Sequence, residues 1–166
     1  MADQELYDYR RTDLRNYKTD HPFWVTSREV DEADAEDLAA VLFSFPGEQD
    51  YMVQAMIVEV TEAAVGGTPT LTVGLGTLLT DDVTTAGDMT IVDIDEYFTS
   101  AVSLPAALGK KLIGASDFAT AFAVAGGQLI TGADAAVPCI AAFIASDTTL
   151  TAGKFKVHVL LSKVPV

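Results

Sequence analysis

From Asp50 to Thr77 the chain reads DYMVQAMIVEVTEAAVGGTPTLTVGLGT, and the pattern of this stretch narrows the possible folds more than any other. Tyr51 to Thr61 is long enough for one strand, and its Met, Val and Ile residues suit a pleated, half-buried surface better than a solvated helix. Gly66, Gly67 and Pro69 break the pattern. It resumes with Leu71, Val73 and Leu75 pointing one way and Thr70, Thr72 and Gly74 the other, the period of two that strands impose. Two strands joined by a Gly/Pro turn are therefore expected.

The same signals recur along the chain. Leu38, Val41, Leu42 and Phe45 sit at helical spacing, yet Val41, Phe43 and Phe45 alternate as a strand does before the Pro46-Gly47 turn. A short acidic lead-in and then a strand is the expectation, with the next segment reversing to pair with it. Leu78 to Asp88 reads as a polar connection, and Met89 to Phe98 as a strand. Ser100 to Ile113 reads either as a loop with a helical turn or as a crossing between sheets. Phe118 to Ala125, Gln128 to Thr131 and Val137 to Ala145 are further strands, the last apolar on both faces. Lys154 to Lys163 alternates most cleanly, with Phe155, Val157, Val159 and Leu161 opposite Lys156, His158 and Ser162. Its closing Val-Pro-Val is expected to stop pairing at an edge. About seven to nine strands without a long helix predict an all-β chain, a jelly-roll-like β-sandwich with an extended N-terminal arm.

That arm is set apart by composition. Met1 to Asp37 holds 11 of the 24 acidic residues and five of the ten basic ones, with scattered apolar positions. Residues 1–37 are thus expected as arm and lead-in, and 38–166 as the sandwich. Tyr7, Tyr9 and Tyr17 interleave with Arg10, Arg11, Arg15 and Lys18, residue types that anchor protein interfaces. Trp24 follows in an apolar His-Pro-Phe-Trp-Val run. These tyrosines, the three arginines and Trp24 are the expected contacts to a partner protein or to a neighbouring protomer, with a solvated terminus as the alternative reading of the arm.

The formal net charge of -14 repels phosphate backbones and anionic lipid, so direct nucleic-acid binding is disfavoured. No apolar run reaches the ~18–20 residues of a membrane-spanning helix, and the charged start lacks the apolar core of a targeting segment. No membrane association and synthesis in the cytoplasm are the corresponding expectations. The lone Cys139, within VPCIAAFIA, is expected as a small buried core residue.

Catalytic and metal patterns are sparse. His21 and His158 lack neighbours at metal-ligand spacing. Gly74-Leu75-Gly76 fails the dinucleotide pattern, since Leu79 stands at the third glycine's place. Asp81-Asp82 and Asp93-Asp95-Glu96 offer oxygen ligands without the spacing of a calcium loop and read as solvated turns. No cofactor, no metal and no enzymatic activity are expected.

The phrase VEVTEA, a Gly-Gly turn and then LTVGLGT, together with the closing Phe-Lys-Val-His-Val, resembles the jelly-roll head decoration (cement) proteins of tailed double-stranded DNA bacteriophages. The resemblance covers roughly Asp31 to Val166. It implies a non-enzymatic virion protein on the capsid exterior, bound to the major capsid protein and reinforcing the shell, commonly as a homotrimer. The Ala and Gly content of Phe118 to Ile144 permits the close approach between protomers that a trimer needs. A head- or tail-fibre adhesin module binding host-surface glycan shares the architecture and is the alternative.

Overall fold

Strand formation follows the alternation in the sequence. A computed structural model describes residues 12–13, 22–32, 39–79, 89–93, 102–103, 109–112 and 128–164. Among them the strands are β1 (Thr12–Asp13), β2 (Phe23–Thr26), β3 (Val30–Asp31), β4 (Ala39–Ser44), β5 (Tyr51–Val65), β6 (Pro69–Leu78), β7 (Met89–Asp93), β8 (Val102–Ser103), β9 (Gly109–Leu112), β10 (Gln128–Ile130), β11 (Val137–Ser146) and β12 (Ala152–Lys163). The first sheet runs β1-β4-β11-β6-β7, with β8 also on β6; the second runs β10-β5-β12-β2, with β3 also on β12 and β9 also on β5. All pairs are antiparallel except β1 with β4. The fold is an all-β, jelly-roll-like sandwich.

The connections differ from the hairpins that the turns suggest. β4 and β5 lie in different sheets, as do β5 and β6, so the Pro46-Gly47 and Gly66-Gly67 turns arch across the core. The physical reason is that β4, β6 and β11 bury side chains on both faces, which a two-stranded hairpin on one surface cannot provide. Segment 45–50 is stapled by the Phe45 and Tyr51 rings, 5.5 Å apart and tilted. Between Ser100 and Ile113, β8 joins the first sheet and β9 the second, so that stretch is a crossing between sheets. β12 is a central strand with β2 outside it, and Val164 N–H donates to Asp50 O, so Val-Pro-Val does not follow an edge strand. The expected Phe118–Ala125 strand lies outside the described residues.

One winding rule organises the sandwich. β4-β5-β6 passes from first sheet to second and back; β10-β11-β12 does the reverse. β11 then sits between β4 and β6, while β5 sits between β10 and β12. Each triplet therefore encloses the other's middle strand.

The core between the sheets takes Leu42, Phe43, Leu71, Val73, Ile140 and Ile144 from the first sheet and Val53, Met56, Val58, Phe155, Val157 and Val159 from the second. A second buried layer, including Ala39, Val41, Leu78, Cys139, Ala141 and Phe143, lies on the other face of the first sheet. Cys139 is buried there, as expected of a small core residue. β5 keeps Tyr51 and Val53 inward and then Met56, Val58 and Val60, an odd-to-even change that strict alternation forbids. The pairing explains it: Leu160 faces Ala55 and Leu161 faces Val53, leaving Gln54 as an extra residue in a β-bulge. Three such shifts let the 15 residues of β5 match the 12 of β12.

Segments 66–68 and 147–151 lie side by side at one end. Thr68 N–H donates to Asp147 Oδ1 at 2.8 Å, Thr151 N–H to Val65 O at 2.8 Å, and Thr148 Oγ1 to Gly66 O. Gly66 has φ +104°, and a Cβ on Gly67 would stand 2.6 Å from Thr148 O. Only glycine lets the two arches approach this closely. At the other end Gly47 N–H donates to Asp134 Oδ1 at 2.8 Å, so one aspartate clasps each pair of arches.

Residues from the expected arm take part in both sheets. β1 pairs with β4, and residues 22–32 form a strap along β12. Val25 and Val30 enter the core, and in the break between β2 and β3 the Ser27 N–H donates to Val157 O at 2.8 Å while Ser27 Oγ accepts from Val157 N–H at 3.0 Å.

Candidate assembly surface

The outward face of the second sheet gathers most of the interacting polar side chains. Three strands contribute because alternation that sends Val25, Val58 and Val157 inward sends Thr26, Glu59, Lys156 and His158 outward. His158 Nδ1 lies 2.8 Å from Thr26 Oγ1 and Nε2 lies 2.8 Å from Glu59 Oε2, linking β2, β12 and β5. With Glu59 as acceptor the ring proton sits on Nε2, and Nδ1 accepts from the Thr26 hydroxyl when the ring is neutral. Farther along, Lys154 Nζ pairs with Glu62 at 2.9 Å and Thr61 Oγ1 donates to Glu29 at 2.8 Å. The Glu62 contact raises the Lys154 pKa above its ordinary value, first through the hydrogen bond and then through charge.

A hydroxyl, an imidazole and a carboxylate in sequence is the order that activates a nucleophile. Here the surroundings differ. His158 is carried by a central strand, paired with β2 on one side and β5 on the other. The chain of contacts laces three strands together.

Trp24 stands at the apolar end of this face. It lies on β2, the outermost strand of the second sheet among the described residues, opposite Leu160, and is 47% exposed. Tyr7, Tyr9, Arg10, Arg11, Arg15 and Tyr17 lie outside the described residues, as do His21, Asp81, Asp82, Asp95 and Glu96. Asp93 is in β7 of the first sheet, opposite Leu75, whereas Glu59 is in the second, so these two carboxylates lie in different sheets. Among the described residues no group of three or more His, Cys, Asp or Glu converges as a metal site. An open apolar groove of about 190 Å³, lined by residues including Leu75, Leu129, Ile130 and Pro138, is small beside the ~300–1,000 Å³ of typical ligand sites.

No family model matches this sequence, and no curated protein does. Among solved structures, a chain of "Capsid of Ralstonia phage GP4" matches with a TM-score of 0.59 and 16% identity, covering 88% of this chain and 86% of that one. The likeness is one of fold.

Several interacting residues are not apparent from the sequence. Glu59 and His158 each occupy a polar phase of alternation, but their meeting depends on the β5–β12 register across 99 positions. Asp147, in a Ser-Asp-Thr-Thr turn, has a legible turn signal but an unreadable partner. Glu32 reads as one of many acidic lead-in residues, yet it is fully buried.

Proposed function

We propose that this chain is a non-enzymatic structural protein of a tailed-phage virion that decorates the outer surface of the assembled head, binds the major capsid protein and stabilises the shell as a homotrimer. The observation that carries this reading is a fold shared over nearly the whole of both chains with one from a phage capsid, joined to the sequence resemblance to jelly-roll decoration proteins. The charge of -14 fits a body facing solvent, away from packaged nucleic acid. Residues 1–21 act as an arm tied to the first sheet through β1, with Tyr7, Tyr9, Arg10, Arg11, Arg15 and Tyr17 as anchors and Trp24 at its root. Three arms on one trimer multiply the affinity of each.

The test is reconstitution on expanded, DNA-free heads that lack the protein, read by co-sedimentation and imaging. Saturable binding on the shell exterior is expected. Removing Met1–Asp20 weakens it by at least about tenfold while leaving a folded body. Undiminished binding by the truncated chain moves the contact to the sandwich; no binding by the full chain overturns the decoration role. The exposed Trp24 also gives the glycan-binding alternative a specific form, which a glycan array tests with Trp24→Ala as control.

A further inference from the structure

Glu32 follows β3 and is the only fully buried carboxyl group among the described residues, with neither oxygen hydrogen-bonded. It is wedged between the strap and the sandwich. A Cβ built on Gly153, at the start of β12, would stand 2.6 Å from Glu32 Oε2 and 3.1 Å from the Cα of Ala64 on β5. Gly153 also has φ +140°, so a side chain there is disfavoured by both backbone and neighbour.

Among the described residues, the charged groups around it offer no compensation. Asp31 precedes it and pairs through its backbone with Lys154 of β12. Lys154 itself is held by Glu62 of β5 at 2.9 Å, while Lys156 stands 3.9 Å from Glu29. A carboxylate in this position has lost water and gained no cation or donor among the described residues, which favours its neutral form.

We propose that Glu32 is a proton-operated latch on the strap of residues 22–32: protonated, it lets β3 lie on β12; ionised, it lifts the β3 end from the sheet. Burial, and then the charge of Asp31, raises its pKa from 4.5 to about 7. The docked strap therefore holds the proton more tightly than the lifted one. Its extra stability is complete below pH 4.5, declines as pH rises toward 7 and is lost above it. The lifted-to-docked ratio should rise on the order of a hundredfold across that window. Trp24 moves with the strap.

Hydrogen exchange of the full chain between about pH 5 and about pH 8.5, corrected for intrinsic exchange rates, tests this through peptides covering 22–32. Protection should fall by roughly ten- to a hundredfold in the wild type and stay level in E32Q, with Trp24 fluorescence following the same midpoint. Unchanged wild-type protection overturns the latch. A pH dependence that survives in E32Q belongs to another group and also overturns it. If E32Q does not fold, ¹³C NMR of the wild-type Glu32 carboxyl decides: titration near 4.5 rejects the proposal, and titration near 7 together with lost protection supports it.

Discussion

At the scale of single residues, placement on this scaffold depends on which backbones come close. Gly67→Ala would drive a methyl group into the Thr148 carbonyl, 2.6 Å from the Cβ position, and should cost about 1–3 kcal/mol in chemical denaturation. His158→Ala should cost about 1–2 kcal/mol, because it removes the link between Thr26 and Glu59 across three strands. Asp147 gives a pH-dependent counterpart. The Thr68 N–H foremost holds its carboxyl below the usual 3.8, so its contribution is present above that pH and is lost as pH falls through the lower folded value. The denaturation midpoint of the wild type should therefore drop relative to Asp147→Asn between about pH 5 and about pH 3. The Gly-Gly pair is legible as a turn in the sequence, but its strict need for glycine is not. That need comes from Thr148, whose position is set by a different arch.

At the scale of elements, β5 shows what alternation can and cannot reveal. Its strand character follows from Met, Val and Ile content, and the inward sets Tyr51–Val53 and Met56–Val58–Val60 are readable separately. The bulge at Gln54 that reconciles them depends on β12, so the sequence of β5 alone cannot locate it. Deleting Gln54 should restore regular pairing, leave a folded chain and cost about 1–3 kcal/mol. Deleting Ile57 should abolish folding, since it turns either Val58 and Val60 or Met56 and Val53 out of the core. Circular dichroism and denaturation of the two single-residue deletions give a direct comparison. β6, β11 and β12 needed no such correction: Leu71, Val73 and Leu75 share a face, β11 is apolar on both sides, and Phe155, Val157, Val159 and Leu161 point inward. The turns conveyed chain reversal but not destination, because a Gly/Pro turn is equally compatible with a hairpin and an arch between sheets.

For the whole molecule, the strap changes the meaning of the acidic N-terminal composition. Polarity from Met1 to Asp37 masks two residues, Val25 and Val30, that complete the core. A chain beginning at residue 22 should retain the wild-type denaturation midpoint to within about 1 kcal/mol of stability, whereas one beginning at residue 33 should lose about 3–5 kcal/mol or fail to fold. Sedimentation at micromolar concentration tests the proposed trimer independently of the shell. A monomer alone would leave the decoration role to be carried by single copies.

The enclosure of each triplet's middle strand by the other triplet governs the order in which this protein can be made. β5 leaves the ribosome before each of its neighbours β9, β10 and β12. Partners such as Glu59 and His158 are 99 positions apart, a delay of ~5–20 s at ordinary elongation rates. Throughout that interval the strand's Met, Val and Ile residues have no completed sheet to enter, and exposed strands of this kind are prone to aggregate. Completion of the second sheet is therefore held until β12 has been released, and chains stalled before it should be protease-sensitive and captured by chaperones.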